Sequence, residues 1–295
     1  MTEKIFSLPV VNQISPYLSQ RQIGELPVIV VNHPKVRAAI TLQGAQLIAW
    51  QPNDEKPVIW LSEKTAFNHG KAIRGGVPIC WPWFGPAGQP AHGFARNQPW
   101  TLSAHDENND NVLLTLVLES NEQTKALWPH DFTLIARFRL GEHCEIELEA
   151  HGEYQATCAL HSYFNVADIQ QVEVSGLGPH FIDKVKGGEQ GTSADGKQRY
   201  AGQVDRIYTQ PEDCSLIHDK SGQRVLEVYH HYHSDVVTWN PGVELSCSMG
   251  DMANDGFQTM VCVETARINA PMKSAPEQPA RLATTFRLRK KRQIT

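Results

Sequence analysis

Short, alternating strand patterns recur along almost the whole chain, and they constrain its fold more than any other feature. In the segment HCEIELEAH, apolar residues and glutamates alternate from position 143 to position 151. Successive side chains of a strand point to opposite faces, so this segment predicts a strand with one buried and one solvated face. Similar patterns occupy 26–32, 38–50, 111–119, 132–140, 155–164, 224–232, 235–240, 258–266 and 281–288.

Turn-forming residues, rather than helical periodicity, separate these strands. Examples are Asn53-Asp54, Asn108 to Asp110, Gly187-Gly188 and Asp219 to Gly222. Many short strands with polar turns, and no regular alternation with helices, predict an all-β fold, namely a large antiparallel sandwich or barrel. Because all-β domains of this length often stay undivided, we expect residues 1–295 to form a single domain.

Charge and hydropathy exclude several classes of partner. The formal net charge is −5, so no overall positive field exists to hold nucleic acid or an anionic membrane. No apolar stretch approaches the ~20 residues that span a bilayer, and the N-terminus lacks a signal-peptide pattern. We therefore expect a cytoplasmic monomer without nucleic-acid or membrane partners. The basic run near the C-terminus is interpreted as a solvated tail: Arg287, Arg289, Lys290, Lys291 and Arg292.

The cysteines and a histidine run give little sign of a metal site. Six cysteines are spread widely with no CxxC spacing, which argues against a zinc site or a redox pair and predicts free thiols. The HHYH run at 230–233 places His231 and His233 on one strand face, where they could chelate a metal. No third ligand is evident nearby, so we interpret these histidines as a partly exposed edge pair.

Two polar residues interrupt strands that are otherwise apolar. His161 lies within ATCALHSYFNV, and a buried histidine needs a hydrogen-bond partner or a function. Glu264 lies within TMVCVETA on the same face as Met260 and Cys262, so it should be buried with them. A buried carboxylate must be paired or must face a cavity. Each residue is therefore either structural and satisfied by neighbours, or part of a functional site.

Two irregular stretches break the strand rhythm. Residues 69–100 are rich in Gly, Pro and Trp and contain Arg74 and Arg96, whose guanidinium groups suit bidentate capture of a phosphate or carboxylate. Their alternative role is to bind loop carbonyls. Residues 184–204 are polar with five glycines, which predicts a surface excursion rather than a linker. Asp205 follows it and could accept hydrogen bonds from a sugar or form a surface ion pair.

Taken together, several motifs resemble those of the hexose-6-phosphate mutarotases, also called glucose-6-phosphate 1-epimerases. They occur in the family's order and span most of the chain. The resemblance implies the galactose-mutarotase-like β-sandwich, which agrees with the strand pattern. The motifs are IRGGVPICWPWFGP (73–86), HGFARNQPW (92–100), LHSYFNV (160–166), VDRIY (204–208), VVTWNPG (236–242) and MVCVETA (260–266).

The resemblance also implies roles for particular residues. The histidine and glutamate that are catalytic in the family correspond to His161 and Glu264. Some relatives have a substrate-contacting glutamine directly before HGFAR, where this chain has Ala91, and Gln89 two residues earlier is the candidate substitute. No cofactor or metal is implied. The substrate contacts implied by the matching motifs are Arg74, Arg96, Asp205 and His92, with Gln89 beside them.

Anomer exchange needs a base at the C1 hydroxyl and an acid at the ring oxygen of the sugar. Our hypothesis is that ionised Glu264 is the base and protonated His161 the acid, with the carboxylate raising the pKa of the histidine. Trp83, Phe94 or Trp239 could stack on the sugar, or could simply pack in the core.

Two other functions compete with the epimerase. A non-catalytic carbohydrate-binding protein would use the same sandwich without turnover. A glycoside hydrolase would need a second buried acid matched to Glu264, for which Asp205 is the candidate.

Overall fold

Twenty-two strands account for about half of residues 1–289, which are the residues that the computed structural model of the chain describes. The strands are β1 (Val10–Ser15), β2 (Leu18–Ile23), β3 (Leu26–His33), β4 (Val36–Thr41), β5 (Gln46–Pro52), β6 (Ile79–Cys80), β7 (Thr101–Glu107), β8 (Asn111–Glu119), β9 (Phe132–Gly141), β10 (His143–Gly152), β11 (Tyr154–Leu160), β12 (Tyr163–Asn165), β13 (Val172–Ser175), β14 (His180–Asp183), β15 (Glu189–Thr192), β16 (Gln198–Arg199), β17 (Val204–Tyr208), β18 (Cys214–Asp219), β19 (Arg224–His231), β20 (Asp235–Asn240), β21 (Met260–Ser274) and β22 (Ala280–Leu288). The α-helices are short: α1 (Thr2–Phe6), α2 (Glu122–Leu127) and α3 (Gly242–Ser248).

Within residues 1–289 these strands pair into three antiparallel sheets. The first follows chain order from β1 to β5. The second has the order β16-β13-β18-β19-β22-β10-β9-β8-β7. The third, which we call the eight-stranded sheet, has the order β15-β14-β17-β20-β21-β11-β6, with β12 also paired to β21. The predicted large antiparallel β-sandwich is confirmed.

The hydrophobic core lies between the sheets and uses alternate residues of their strands. On β10 the apolar residues are buried, as the alternation predicts. Glu149, on the opposite face, is also buried, because Arg137 and Arg281 contact its carboxylate at 3.2 and 3.0 Å. In the eight-stranded sheet, Val261 and Val263 of β21 point into this core. The opposite face of this sheet therefore carries the residues of β21 that alternate with Val261 and Val263.

Several predicted strands have different boundaries in the structure; the strand predicted over 258–266, for example, begins at Met260 and runs to Ser274. The strand predicted over 38–50 is wrong, because it is a hairpin of β4 and β5. Its turn contains Gly44 at φ 78°, where a Cβ would lie 2.6 Å from the carbonyl oxygen of Arg96. The strand predicted over 155–164 is interrupted at His161 and Ser162, and the strand predicted over 224–232 ends at His231.

The irregular stretches behave as the composition predicts. Within residues 69–100 the structure has only the two-residue strand β6 and two short 3-10 turns. The excursion at 184–204 is mostly exposed and includes the short strands β15 and β16.

The basic run is not simply a solvated tail. Arg287 and Arg289 contact the carboxylate of Glu227 at 3.8 and 2.6 Å, and Arg287 belongs to β22. The interpretation of Lys290, Lys291 and Arg292 concerns residues outside the described range.

Candidate active site

His161 and Glu264 face each other across neighbouring strands. Both β11 and β12 pair with β21, and they do so in one continuous register on either side of the interruption at His161. Because Tyr163 lies opposite Cys262, the same register places His161 opposite Glu264. Directly opposed side chains of an antiparallel pair are in reach of each other. The imidazole Nε2 of His161 lies 3.4 Å from Oε1 of Glu264.

The loop at 73–80 explains why the strand breaks at the histidine. The backbone N–H of His161 donates to the carbonyl of Pro78, and that of Tyr163 donates to the carbonyl of Gly76, both at 2.9 Å. Gly76 has φ 68°, and a Cβ there would lie 2.3 Å from the carbonyl oxygen of Leu47. The RGGVP segment can therefore pack against the strand only with glycine at this position.

Burial dominates the protonation of His161, whose exposed fraction is 8%. It lowers the pKa of His161 well below its usual value, and repulsion from His92 when protonated, and from Arg96 and Arg74, lowers it further. The expectation that the carboxylate of Glu264 would raise this pKa is therefore wrong. The reason is that an imidazolium loses its hydration at this position, and two guanidinium groups also oppose its charge.

Burial shifts the pKa of Glu264 in the opposite direction. Its exposed fraction is 1%, and burial raises the pKa of its carboxyl well above the usual value, with the negative charge of Asp205 adding to the effect. Both shifts favour the neutral forms, a protonated Glu264 beside a neutral His161. In this form the pair holds a single proton, and it titrates as a unit.

A second row of residues runs across the sheet beside this pair. Asp205 on β17 lies opposite Trp239 on β20. On the next strand, β21, Cys262 lies between Trp239 on one side and Tyr163 of β12 on the other. Burial raises the pKa of the half-buried Asp205, although the charge of Lys184 lowers it. The predicted aspartate is thus on the face that carries the acid–base candidates.

Aromatic rings hold the imidazole of His161 in place. The ring of Tyr163 stacks on it with 4.9 Å between centroids and 16° between planes. Trp60 stacks on the far side of Tyr163 at 5.7 Å, and Trp239 meets His161 edge-on at 6.2 Å. Stacked and edge-on pairs of this kind stabilise particular ring orientations.

The other two aromatic candidates contribute mainly to packing. Phe94 is buried with an exposed fraction of 1%, and Trp83 packs edge-on against it at 5.9 Å. Of the three aromatic candidates, Trp239 is the one that contacts the ring of His161 within the described residues.

Arg74 is anchored at two points of its guanidinium group. Its Nε donates to Oδ2 of Asp251 at 3.1 Å, and its Nη1 donates to the hydroxyl of Tyr163 at 3.0 Å. The side chain keeps 26% of its surface exposed. Asp251 lies in the loop after α3, and no sequence pattern pointed to it. These two anchors fix the direction of the guanidinium plane while leaving part of it open.

Arg96 is anchored more lightly. Its Nη2 donates to the carbonyl of Ala91 at 2.9 Å, which is the loop-binding role considered as its alternative. Its buried Nε has no hydrogen-bond partner among residues 1–289. Most of the guanidinium N–H groups of Arg96 therefore have no acceptor among the residues that the structure describes.

His92 lies against the catalytic candidate His161, and Gln89 lies in the same irregular stretch. The backbone N–H of Gly85 donates to Nδ1 of His92 at 3.1 Å, so the hydrogen of the neutral ring is on Nε2. The ring centroid is 5.5 Å from that of His161, and burial lowers the pKa of His92 to about 4. Gln89 is exposed, and its substrate contact stays a prediction.

The histidine run and the cysteines can now be compared with their predictions. All six cysteines are free thiols, as expected. His231 is exposed on β19, with Nε2 3.2 Å from the hydroxyl of Thr285, and His233 lies beyond the end of that strand. Within the described range, the group of three potential metal ligands lies elsewhere, at His161, Cys262 and Glu264. No helix among residues 1–289 combines the length and apolar character needed to cross a membrane.

Comparison with known proteins points to sugar epimerases. Residues 27–287 match the family described as Aldose 1-epimerase. An Escherichia coli K12 protein with the provisional name glucose-6-phosphate 1-epimerase is 55% identical over 99% of this chain and 100% of its own length.

Solved structures agree with this match. The crystal structure of a Salmonella typhimurium protein, provisionally called a mutarotase, is 56% identical with a TM-score of 0.97, covering 98% of this chain and 99% of that one. A galactose mutarotase-like protein from Clostridium acetobutylicum, at 14% identity, shares the fold with a TM-score of 0.71 over 93% of this chain and 98% of that one.

Proposed function

Since this chain belongs to the aldose 1-epimerase family, we propose that it interconverts the α and β anomers of a hexose 6-phosphate, with glucose 6-phosphate as the first candidate. The observation that carries the proposal is the cross-strand pair of His161 and Glu264, with 3.4 Å between Nε2 and Oε1. A non-catalytic sugar-binding protein has no need of a buried acid beside a buried base.

The reaction opens and recloses a hemiacetal. A base removes the proton from the C1 hydroxyl, an acid protonates the ring oxygen, and the free aldehyde rotates before the ring closes on its other face. One proton enters the pair as another leaves it, so the pair ends each half-reaction with the same number of protons. No redox step or cofactor is required by this chemistry.

The roles of the two residues follow from where the single proton lies. In the proposed catalytic state Glu264 is the carboxylate base and His161 the imidazolium acid. This state differs from the neutral pair only by transfer of one proton between groups that are 3.4 Å apart. Sugar hydroxyls that donate to the carboxylate would favour the charged arrangement, because hydrogen bonds to an ionised group stabilise it.

The surrounding residues have substrate roles in the same proposal. Arg74 and Arg96 hold the phosphate through donors that the protein leaves open. Asp205 orients sugar hydroxyls from the neighbouring row, and His92 contributes the N–H at Nε2. Gln89 is the remaining proposed contact, from its exposed loop position.

We extend the proposal to the state in which the enzyme works. It acts as a cytoplasmic monomer without nucleic-acid or membrane partners, since a formal net charge of −5 offers no attraction to polyanions. Sedimentation measurements with and without substrate test the monomer, because a dimer at working concentration would contradict it.

The test follows α-glucose 6-phosphate as it relaxes to the anomeric mixture, by NMR or with a β-specific coupled dehydrogenase. We expect the wild-type protein to accelerate the relaxation over buffer, and Arg74→Gln and Arg96→Gln to raise KM for the phosphate ester more than for unphosphorylated glucose. The matched control is Arg139→Gln, because Arg139 pairs with Glu145 on the outer surface at 3.2 Å. A folded wild-type protein that binds the ester without acceleration would replace the epimerase by a binding protein.

A further inference from the structure

Three potential metal ligands converge at the candidate acid–base pair. A ring nitrogen of His161, the Sγ of Cys262 and a carboxylate oxygen of Glu264 lie within 4.8 Å of one another, and all three residues are buried. We propose that His161, Cys262 and Glu264 form an inhibitory site for a thiophilic divalent cation, with Zn²⁺ as the reference ion.

The spacing of the first two ligand atoms already matches a tetrahedral ion. Zinc binds imidazole nitrogen and carboxylate oxygen at about 2.0 to 2.1 Å, so two such ligands of a tetrahedral ion are about 3.4 Å apart. The distance between Nε2 of His161 and Oε1 of Glu264 is 3.4 Å. With a zinc–sulfur distance of about 2.3 Å, the thiol lies about 3.5 Å from each of these atoms and must approach them by at most about 1.3 Å.

The strand framework keeps the ligands together. Glu264 and Cys262 are alternate residues of β21 and therefore share a face, and the cross-strand register brings His161 to the same place. Buried polar atoms normally have partners, yet Oε2 of Glu264 and Nδ1 of His161 have none within residues 1–289. The protein therefore leaves hydrogen-bonding capacity unused on both side chains.

The donor set selects the class of cation. One thiol, one imidazole and one carboxylate suit Zn²⁺ or Cd²⁺, whereas Mg²⁺ and Ca²⁺ prefer a shell of oxygen atoms. The wide cysteine spacing, which argued against a zinc site, does not apply here. That argument concerns ligands on one short loop, whereas these ligands meet through strand pairing.

A bound ion would stop catalysis because it occupies the atoms that move the proton. This consequence rests on the proposed function, whereas binding itself does not. The ion must displace the proton of the Glu264 carboxyl and that of the Cys262 thiol. Burial raises the pKa of this thiol well above its usual value, and Glu264, when ionised, raises it further. Binding therefore releases both protons and becomes tighter as the pH rises.

The experiment titrates Zn²⁺ into metal-free wild-type protein, Cys262→Ala and Cys80→Ala, with calorimetry for binding and anomer relaxation for activity. Cys80 is the matched control, because it is equally buried on β6, which β11 separates from β21, and it is not one of the three ligands. Wild type and Cys80→Ala should bind Zn²⁺ and lose activity, which a chelator restores. Cys262→Ala should stay active and bind at least about 100-fold more weakly, because loss of even an outer-shell partner weakens metal binding 10- to 100-fold.

Unchanged Zn²⁺ affinity in folded Cys262→Ala would overturn the site, as would an equal loss in Cys80→Ala. If Cys262→Ala does not fold, Co²⁺ added to the wild-type protein decides the question, because a thiolate-to-cobalt charge-transfer band must appear and its absence refutes the site. Calorimetry also separates the two proposals. Cysteine-dependent binding to a protein that does not accelerate anomer exchange would remove the proposed function and leave the metal site standing.

Discussion

Tyr163 connects the proposed phosphate-binding arginine to the proposed catalytic histidine, and two substitutions separate these connections. Tyr163→Phe keeps the ring that stacks on His161 but removes the hydroxyl that accepts from Nη1 of Arg74 at 3.0 Å. A hydrogen bond to a charged group contributes about 1.5 to 3 kcal/mol. Because Arg74 keeps 26% of its side chain exposed, the lower value applies. This value of about 1.5 kcal/mol corresponds to a tenfold change in an equilibrium.

We therefore expect Tyr163→Phe to raise KM for glucose 6-phosphate about tenfold with little change in kcat. Tyr163→Leu also removes the stacks on His161 and Trp60, each of which contributes about 0.5 to 1.5 kcal/mol. The imidazole then loses its fixed orientation, and kcat should fall about 10- to 100-fold, since a misplacement of about 1 Å can have an effect of that size.

The assay measures initial rates of α-anomer relaxation over a range of substrate concentrations, with circular dichroism as the check of folding. Tyr208→Phe is the matched control, because Tyr208 is also buried and its hydroxyl donates to Gln198 at 2.8 Å, away from the site. It should leave both kinetic constants unchanged. The reasoning is refuted if Tyr163→Phe lowers kcat as much as Tyr163→Leu does, or if it leaves KM unchanged.

The further predictions concern the pH dependence of catalysis and the packing of the irregular stretch at 69–100. Because burial lowers the pKa of His161 below 6.5 and raises that of Glu264 above 4.5, kcat should persist well below pH 6.5 and fall on the alkaline side, where the pair loses its single proton. Asp205→Asn removes a charge that raises the pKa of Glu264, so the alkaline limb of the kcat profile should move to lower pH, and an unmoved limb would contradict this. Gly93→Ala should destabilise the protein by about 2 kcal/mol more than Gly70→Ala in urea unfolding, through overpacking. The two glycines have φ 75° and 73°, but only at Gly93 would a Cβ meet a backbone oxygen, at 2.0 Å, so equal destabilisation would refute the argument.

The sequence singled out individual candidate residues better than it indicated how they are arranged in space. His161 and Glu264 stood out because each interrupts an apolar strand, and this signal is local. Their pairing depends on the register between β11, β12 and β21, which strand periodicity does not specify. Asp251 left no local signal at all, because it reaches Arg74 from a distant loop. Recognition of the family, by contrast, rested on several motifs together and is confirmed by the match over residues 27–287.

Electrostatics was the least predictable property of the site. The sequence showed a carboxylate and an imidazole with complementary charges, and from this we expected a raised pKa for His161. In the structure burial lowers it instead, and the guanidinium groups of Arg96 and Arg74 act in the same direction.

The hairpin at 38–50 was missed for a different reason. Its turn at Gly44 and Ala45 is buried and apolar, so it lacks the polar residues that usually mark a turn.

The most direct test of the proposed acid–base pair compares wild type, His161→Ala and Glu264→Gln in the relaxation of α-glucose 6-phosphate, with calorimetric binding of the ester measured for each folded protein. Acid–base catalysis contributes about 10²- to 10⁴-fold, so each substitution should lower kcat by at least about 100-fold while binding is largely retained. A folded variant of either residue that keeps the wild-type rate would contradict the account.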